Sequence, residues 1–337
     1  MKIKKNILKP KILRPYLSKL KFNLGFNPKI QKSDDFRKYV PEPYKAVLIT
    51  YADFELAWAW RYSKEYINRK TDVNNLALRE RENVSDILLL SEMFKIPITW
   101  ATVGHLFLEE CKKENVIAHP DIQRNKYFEN KYWVFDKGDW FDDDPCTNYK
   151  DSPEWYCPDL IKKIYNSKIR HEIGCHTFSH IDCRDEVCPT EVFEAEINEC
   201  IKLAKNFSIY LKSFVHPGHT IGHLKKLFEL GFNSYRTDYA NILGYPVMHS
   251  TGLWEFKGTM ELTYKKKWDI NFNIKFYKEI IDRAIENNSV CVFWFHPSFD
   301  KIFLEKILPD LFSYIDSKND DIFITTAGEY TDWLNKN

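Results

Sequence analysis

The chain has 337 residues, 44% hydrophobic and 16% aromatic, enough to bury a large core in one or two domains. Its formal net charge of +1 hides an asymmetry: residues 1–40 carry twelve Lys or Arg against Asp34 and Asp35, which leaves the remainder strongly acidic. No apolar run approaches the roughly 18 residues of a membrane span, and Pro10, Pro15 and interspersed lysines break any signal-peptide core, so a cytoplasmic protein is expected.

Residues 1–40 read as a basic arm. Ile3, Ile7, Leu8, Ile12, Leu13, Leu17 and Leu20 recur near helical spacing, which suits a short interfacial helix. Peripheral association of residues 1–33 with the inner face of an anionic membrane is the expected consequence. From residue 41 to 337 the pattern changes to alternating strand and helix. AVLITY, beginning at Ala46, is an apolar run typical of a strand buried on both faces. An Asn/Arg-rich connection follows, then a helix from Val84 to Phe94 and the strand ITWATV after Pro97. A helix is expected over Asp159–Asn166, a strand over Lys168–Gly174, and a long helix from a Thr190 cap to Phe207. Next come the strand SFVHP, the helix HLKKLFELGF, the strand SYRTD, a helix over Lys275–Asn287 and the strand SVCVFWFHP. A helix over Phe303–Asp316, the strand DIFITT and a final helix close the chain. Repeated βα units predict a parallel sheet closed into a barrel or part of one.

Reactive groups in such folds gather beyond the carboxyl ends of strands. Here Asp53 and Glu55 follow AVLITY, and His176 and His180 follow HEIG. His216 and His219 follow SFV, Arg236 and Asp238 follow SY, and His296 follows VFWF. Core packing does not explain five strand ends of this kind. His176 and His180, four apart, would share a face if the chain forms a helical turn there, and two neutral imidazoles suit a zinc-like divalent ion.

Other features take plainer readings. The eight cysteines are expected to be reduced, and Cys183 and Cys188 lack a second pair at zinc-ligand spacing. His105, His119 and His249 read as hydrogen-bonding loop residues. Lys265–Lys267 reads as a solvated face, so no nucleic-acid partner is expected, and no P-loop or dinucleotide fingerprint occurs.

The segments LITYADFE, HEIGCHTFSH, SFVHPGH with GFNSYRTD, and VFWFHP, in this order, resemble the motifs of the polysaccharide deacetylase family, carbohydrate esterases with a chitooligosaccharide-deacetylase homology domain. The resemblance implies a distorted (β/α)7 barrel as one catalytic domain. It also implies metal-dependent removal of the N-acyl group, most simply N-acetyl, from an amino sugar in surface-polysaccharide or glycan-precursor biosynthesis. His176 and His180 match the metal histidines, with Zn2+ the first choice of ion and Co2+, Ni2+ or Mn2+ as others. His296 matches the general acid, and Asp238 the Asp that orients it. The first motif is divergent. Aligned on Thr50, it puts Ala52 at the base and Asp53 at the metal; aligned on an Asp-x-Asp/Glu variant, it makes Asp53 the base and Glu55 the metal carboxylate. Residues two apart face the same side of an extended chain, which favours the second register. The family's base-orienting Arg is missing at Val215-His216-Pro217, so Arg236 or His216 would stand in. Trp133 and Trp140 of the aromatic loop Tyr127–Pro158, with His216, His219 and Trp254, are the expected sugar contacts. Ala52 and the absent Arg also motivate a second reading, a metal-retaining but impaired carbohydrate-binding scaffold. A sugar deformylase or another small amidohydrolase is a near relation of the first.

Overall fold

The computed structural model describes residues 19–20, 28–65, 70–237 and 241–337. The run that reads as a doubly covered strand forms β1 (Ala46–Phe54), and all nine of its residues are buried. β1 pairs on one edge with β8 (Val290–Phe295). On the other edge β9 (Ile322–Thr325) lies along its first half, and β2 (Thr99–Thr102) along its second. The parallel order continues from β2 through β3 (Glu172–Cys175), β4 (Ser213–Val215), β5 (Ser234–Thr237) and β6 (Trp254–Lys257). After Gly258 and Thr259 the chain resumes as β7 (Met260–Glu261), which pairs with β8. Gly258 donates to the Thr237 carbonyl and Thr259 N to Val292 O at 2.8 Å, so β6 and β7 together bridge β5 and β8. Taking that pair as one stave, seven positions run around the sheet and return to β1. This is the distorted (β/α)7 barrel.

Side-chain alternation along these strands separates two cores. Val47, Ile49 and Tyr51 point inward with Ala101, Val215, Phe256, Val292 and Trp294, and Tyr330 and Leu334 of the last helix, Ala327–Leu334, join this inner cluster. Leu48, Ala52 and Phe54 point outward into the larger core beneath the helices. The inward series of β1 continues past Tyr51 to Asp53 and Glu55, and that of β8 past Trp294 to His296.

Helix α1 (Lys70–Phe94) starts well before Val84, inside the expected Asn/Arg-rich connection. The reason is tertiary. Its inner face is polar because it grips loops: Asn83 Nδ2 donates to Pro297 O at 2.7 Å, Arg79 Nε to Ser298 O at 2.8 Å, and Arg81 Nη1 to Tyr156 O at 2.9 Å. Helix α3 (Thr190–Lys205, after α2 at Pro158–Tyr165) has Pro189 at its cap position, and no Thr side chain caps it.

Residues 28–40 lie against the barrel. Lys29–Ile30 pairs with Ile242–Leu243, Val40 is fully buried, and the Tyr39 ring lies 4.8 Å from that of Tyr245. Most of the expected interfacial helix lies outside the described residues. Among the described residues no helix is long and apolar enough to cross a membrane.

Candidate functional site

The first rim residue is set by a break in β1. β1 ends at Phe54, and Leu56 adopts φ 50°, a positive-φ conformation that costs a non-glycine residue free energy and turns the chain immediately after Glu55. The Glu55 N–H donates to Glu80 Oε1 at 2.9 Å, with Glu80 itself fully buried on α1. Burial and the neighbouring Glu55 push the Glu80 carboxyl well above its usual range.

His176 and His180 do not share a helical turn. They follow β3 in a loop where Thr177 (φ 59°) and His180 (φ 61°) are both left-handed, and this brings the two rings to 5.0 Å. Both converge on one carboxylate oxygen: Glu55 Oε1 is 2.8 Å from His176 Nε2 and 3.1 Å from His180 Nε2. His176 Nδ1 lies 2.7 Å from Val215 O. With its one N–H on Nδ1 toward that carbonyl, a neutral His176 would offer the Nε2 lone pair to an ion. Burial works against its protonation, but the contact with Glu55 outweighs burial and raises the His176 pKa above its usual value. Glu55 Oε2 is buried with no hydrogen-bond partner among the described residues. Two imidazole nitrogens and a carboxylate aimed at one point suit a divalent ion of the zinc class, with coordination positions left open. Burial pushes His180 down to about 4 despite Glu55, favouring the lone-pair form. Burial pushes Glu55 up, but His296 and the hydrogen bonds of His176 and His180 outweigh it and hold the carboxyl well below its usual range.

The carboxylate that meets the imidazoles is therefore Glu55. Asp53 is engaged elsewhere, by Arg236: Nη1 to Oδ1 is 2.8 Å and Nη2 to Oδ2 is 2.7 Å, a buried two-pronged pair. The guanidinium sits 5.0 Å from the centres of the Tyr51 and Trp294 rings. Arg236 pairs in register with Val215, the very place where the third motif lacks its Arg, so the fork reaches the same carboxylate from the adjacent strand. His216 is buried, with Nε2 3.0 Å from Gly222 O.

His296 completes the rim. Its Nε2 is 3.6 Å from Glu55 Oε2, and its Nδ1 is 3.8 Å from Glu261 Oε1. The ligating atoms of Asp53, Glu55 and His296 lie within 4.8 Å of one another. Asp238 lies outside the described residues. Nothing in the sequence marks Glu261 as the carboxylate facing His296.

These groups open into a cleft of about 470 Å3 whose walls include Trp60, Trp133, His219 and Trp294. Trp133 packs edge-on to His180, ring centres 4.8 Å apart, and rests on Gly218, where a Cβ would fall 2.5 Å from the indole. Trp140 is not a cleft residue: it is buried and donates Nε1–H to Ser179 Oγ at 2.7 Å, so it braces the histidine loop. Trp254 opens β6 at the opposite end of the barrel and bonds Asn335 Oδ1 at 2.8 Å, because a residue at a strand start cannot reach the carboxyl-end rim. Trp60 and Trp294 did carry a signal. The first stands in LAWAW; the second is two residues before His296 and so shares its face.

At the base of the histidine segment, His171 Nδ1 accepts from Ile98 N at 3.1 Å. Burial pushes this imidazole down to about 4. A histidine whose folded pKa is depressed contributes stability that is complete above the unfolded value near 6.5 and is lost as pH falls toward 4. Chemical unfolding should show about 3 kcal/mol less of that loss between pH 6.5 and 4 in His171→Asn, which keeps an acceptor but no titration. Equal pH slopes in the two proteins would remove His171 as the cause.

No family model and no curated protein matches the sequence. Solved structures do match in shape. A protein of Mycobacterium smegmatis assigned as a polysaccharide deacetylase superposes with a TM-score of 0.62 at 12% identity, covering 88% of this chain and 92% of its own. One from Pseudomonas aeruginosa PAO1 with the same assignment gives 0.60 at 12%, covering 89% and 94%. PuuE allantoinase gives 0.60 at 13%, covering 89% and 93%. The chain has a polysaccharide deacetylase-like fold.

Proposed function

We propose that this protein is a metal-dependent hydrolase that removes an acyl group, most simply acetyl, from the nitrogen of an amino sugar. The observation that carries the reading is the separation of two carboxylates two residues apart. Glu55 faces the paired imidazoles, and Asp53 is held off them by Arg236. In this reading Glu55, His176 and His180 hold the divalent ion, which when bound polarises the amide carbonyl and acidifies water. Asp53 accepts the proton of the attacking water, and Arg236 fixes the plane of that carboxylate and supplies its counter-charge. His296, across the cleft, donates a proton to the departing amine, with Glu261 facing its other nitrogen. Trp133, Trp60 and Trp294 supply aromatic faces suited to the apolar face of a sugar ring, and Lys64, Glu65 and Lys131 line the same cleft.

The fold leaves the substrate open, since one of its solved neighbours is an allantoinase. The barrel's polar rim and aromatic walls favour the sugar, in surface-polysaccharide or glycan-precursor assembly. The test is acyl release from a panel of N-acetylated and N-formylated amino sugars, mono- and oligomeric, by zinc- or cobalt-loaded protein. Glu55→Ala is expected to lose both the rim metal and the release. Fully loaded wild-type protein that frees no acyl group from any of them would overturn the enzyme reading in favour of a sugar-binding scaffold.

A further inference from the structure

A second convergence of ligating side chains lies behind Trp58, whose ring is 4.4 Å from that of His105. His105, Cys111, His119 and Asp144 offer one ligand atom each, all within 4.8 Å of one another. His105 stands in the single turn Gly104–Phe107 after β2, and the other three come from the long excursion between β2 and α2. We propose that these four residues form a structural metal site of the zinc class, separate from the rim site.

Three observations support it. The first is spacing. Asp144 Oδ2 is 2.9 Å from His105 Nε2, 2.8 Å from His119 Nε2 and 3.5 Å from Cys111 Sγ, and Cys111 Sγ is 3.9 Å from His105 Nε2. Zinc–nitrogen, zinc–oxygen and zinc–sulfur bonds of about 2.0–2.3 Å in a tetrahedron separate the ligand atoms by roughly 3.3–3.6 Å, the middle of that range. The second is donor accounting. His105 is fully buried, and its Nδ1 is 3.3 Å from Trp155 O while Nε2 faces Asp144. One N–H cannot serve two acceptors; with the N–H on Nδ1, the Nε2 lone pair is free for an ion. His176 shows the same arrangement at the rim site. The third is the outer support. Asp144 Oδ1 accepts from Tyr156 OH at 3.0 Å and Cys146 N at 2.9 Å, which leaves Oδ2 turned inward. Carbonyls, hydroxyls and amides holding ligands in this way are characteristic of metal centres. The charges also balance: one carboxylate, one thiolate and two neutral imidazoles neutralise a divalent cation.

Four protein ligands close this site, whereas three leave the rim site open, the distinction between structural and catalytic zinc. The excursion needs such a tie. Its regular structure is four two-residue strands, yet it delivers Trp133 to the cleft.

Metal analysis of the full chain tests this. Zinc-loaded wild-type protein should hold two ions per chain, and His176→Ala/His180→Ala protein should keep one. Adding Cys111→Ser/His119→Ala to the latter should weaken zinc retention by more than the roughly 100-fold that loss of an outer partner costs. Cobalt in the His176→Ala/His180→Ala protein should give a thiolate-to-cobalt charge-transfer band that Cys111→Ser abolishes and Cys146→Ser does not. If that variant fails to fold, the same cysteine substitutions are read on cobalt-loaded wild type. Folded His176→Ala/His180→Ala protein that keeps no zinc, or folded cobalt protein without the Cys111-dependent band, would overturn the site whatever the outcome of the hydrolysis assays.

Discussion

Asp53→Asn is expected to lower acyl hydrolysis by about 10²–10⁴-fold while the metal content of the rim site stays at the wild-type level. An amide keeps the size of the carboxylate but cannot take a proton from water. Glu55, His176 and His180, the proposed ligands, are untouched, and Asp53 contacts none of them by hydrogen bond in the described structure. Activity on a metal-loaded sample and metal analysis of the same sample separate the roles. Parallel loss of metal and activity would make Asp53 a ligand, as the register aligned on Thr50 requires. Undiminished turnover would dismiss it as the base.

Arg236→Met should destabilise the fold by about 3–5 kcal/mol, because it leaves the Asp53 carboxylate buried and uncompensated. The double variant Asp53→Asn/Arg236→Met should regain much of that loss, since no buried charge then remains, and should stay inactive. Urea unfolding of the set measures both. Wild-type stability in Arg236→Met would mean that the pair carries no such coupling. Arg236→Lys distinguishes position from charge: an ammonium keeps the charge but not the two-pronged fork, so turnover should fall more than stability.

Several strands were legible because burial on both faces leaves little room for polar residues. AVLITY and VCVFWF are examples, and their alternation also put Asp53, Glu55 and His296 on inward-facing positions. Helix α1 was only half legible. Asn83, Glu80 and Arg79 interrupt its apolar periodicity because they hold the loops after β1 and β8. The aromatic excursion was misread in part: Trp140 and most of its neighbours pack on one another, and Trp133 reaches the cleft. His105 and His119 looked ordinary because their shared partner Asp144 is 25 residues or more away in sequence.

By itself the sequence determined most of the barrel strands and the inward positions of Asp53, Glu55 and His296, since strand burial and period-two alternation are local properties; β6 and β7, and with them Glu261, it did not show. That Glu55 meets the imidazoles while Asp53 meets Arg236 emerged only in three dimensions, from the positive-φ break at Leu56 and an Arg arriving from the neighbouring strand. So did the convergence at Asp144. Those contacts join residues far apart in the chain, and ion pairs and ligand geometry depend on distances of a few ångströms that no local pattern encodes.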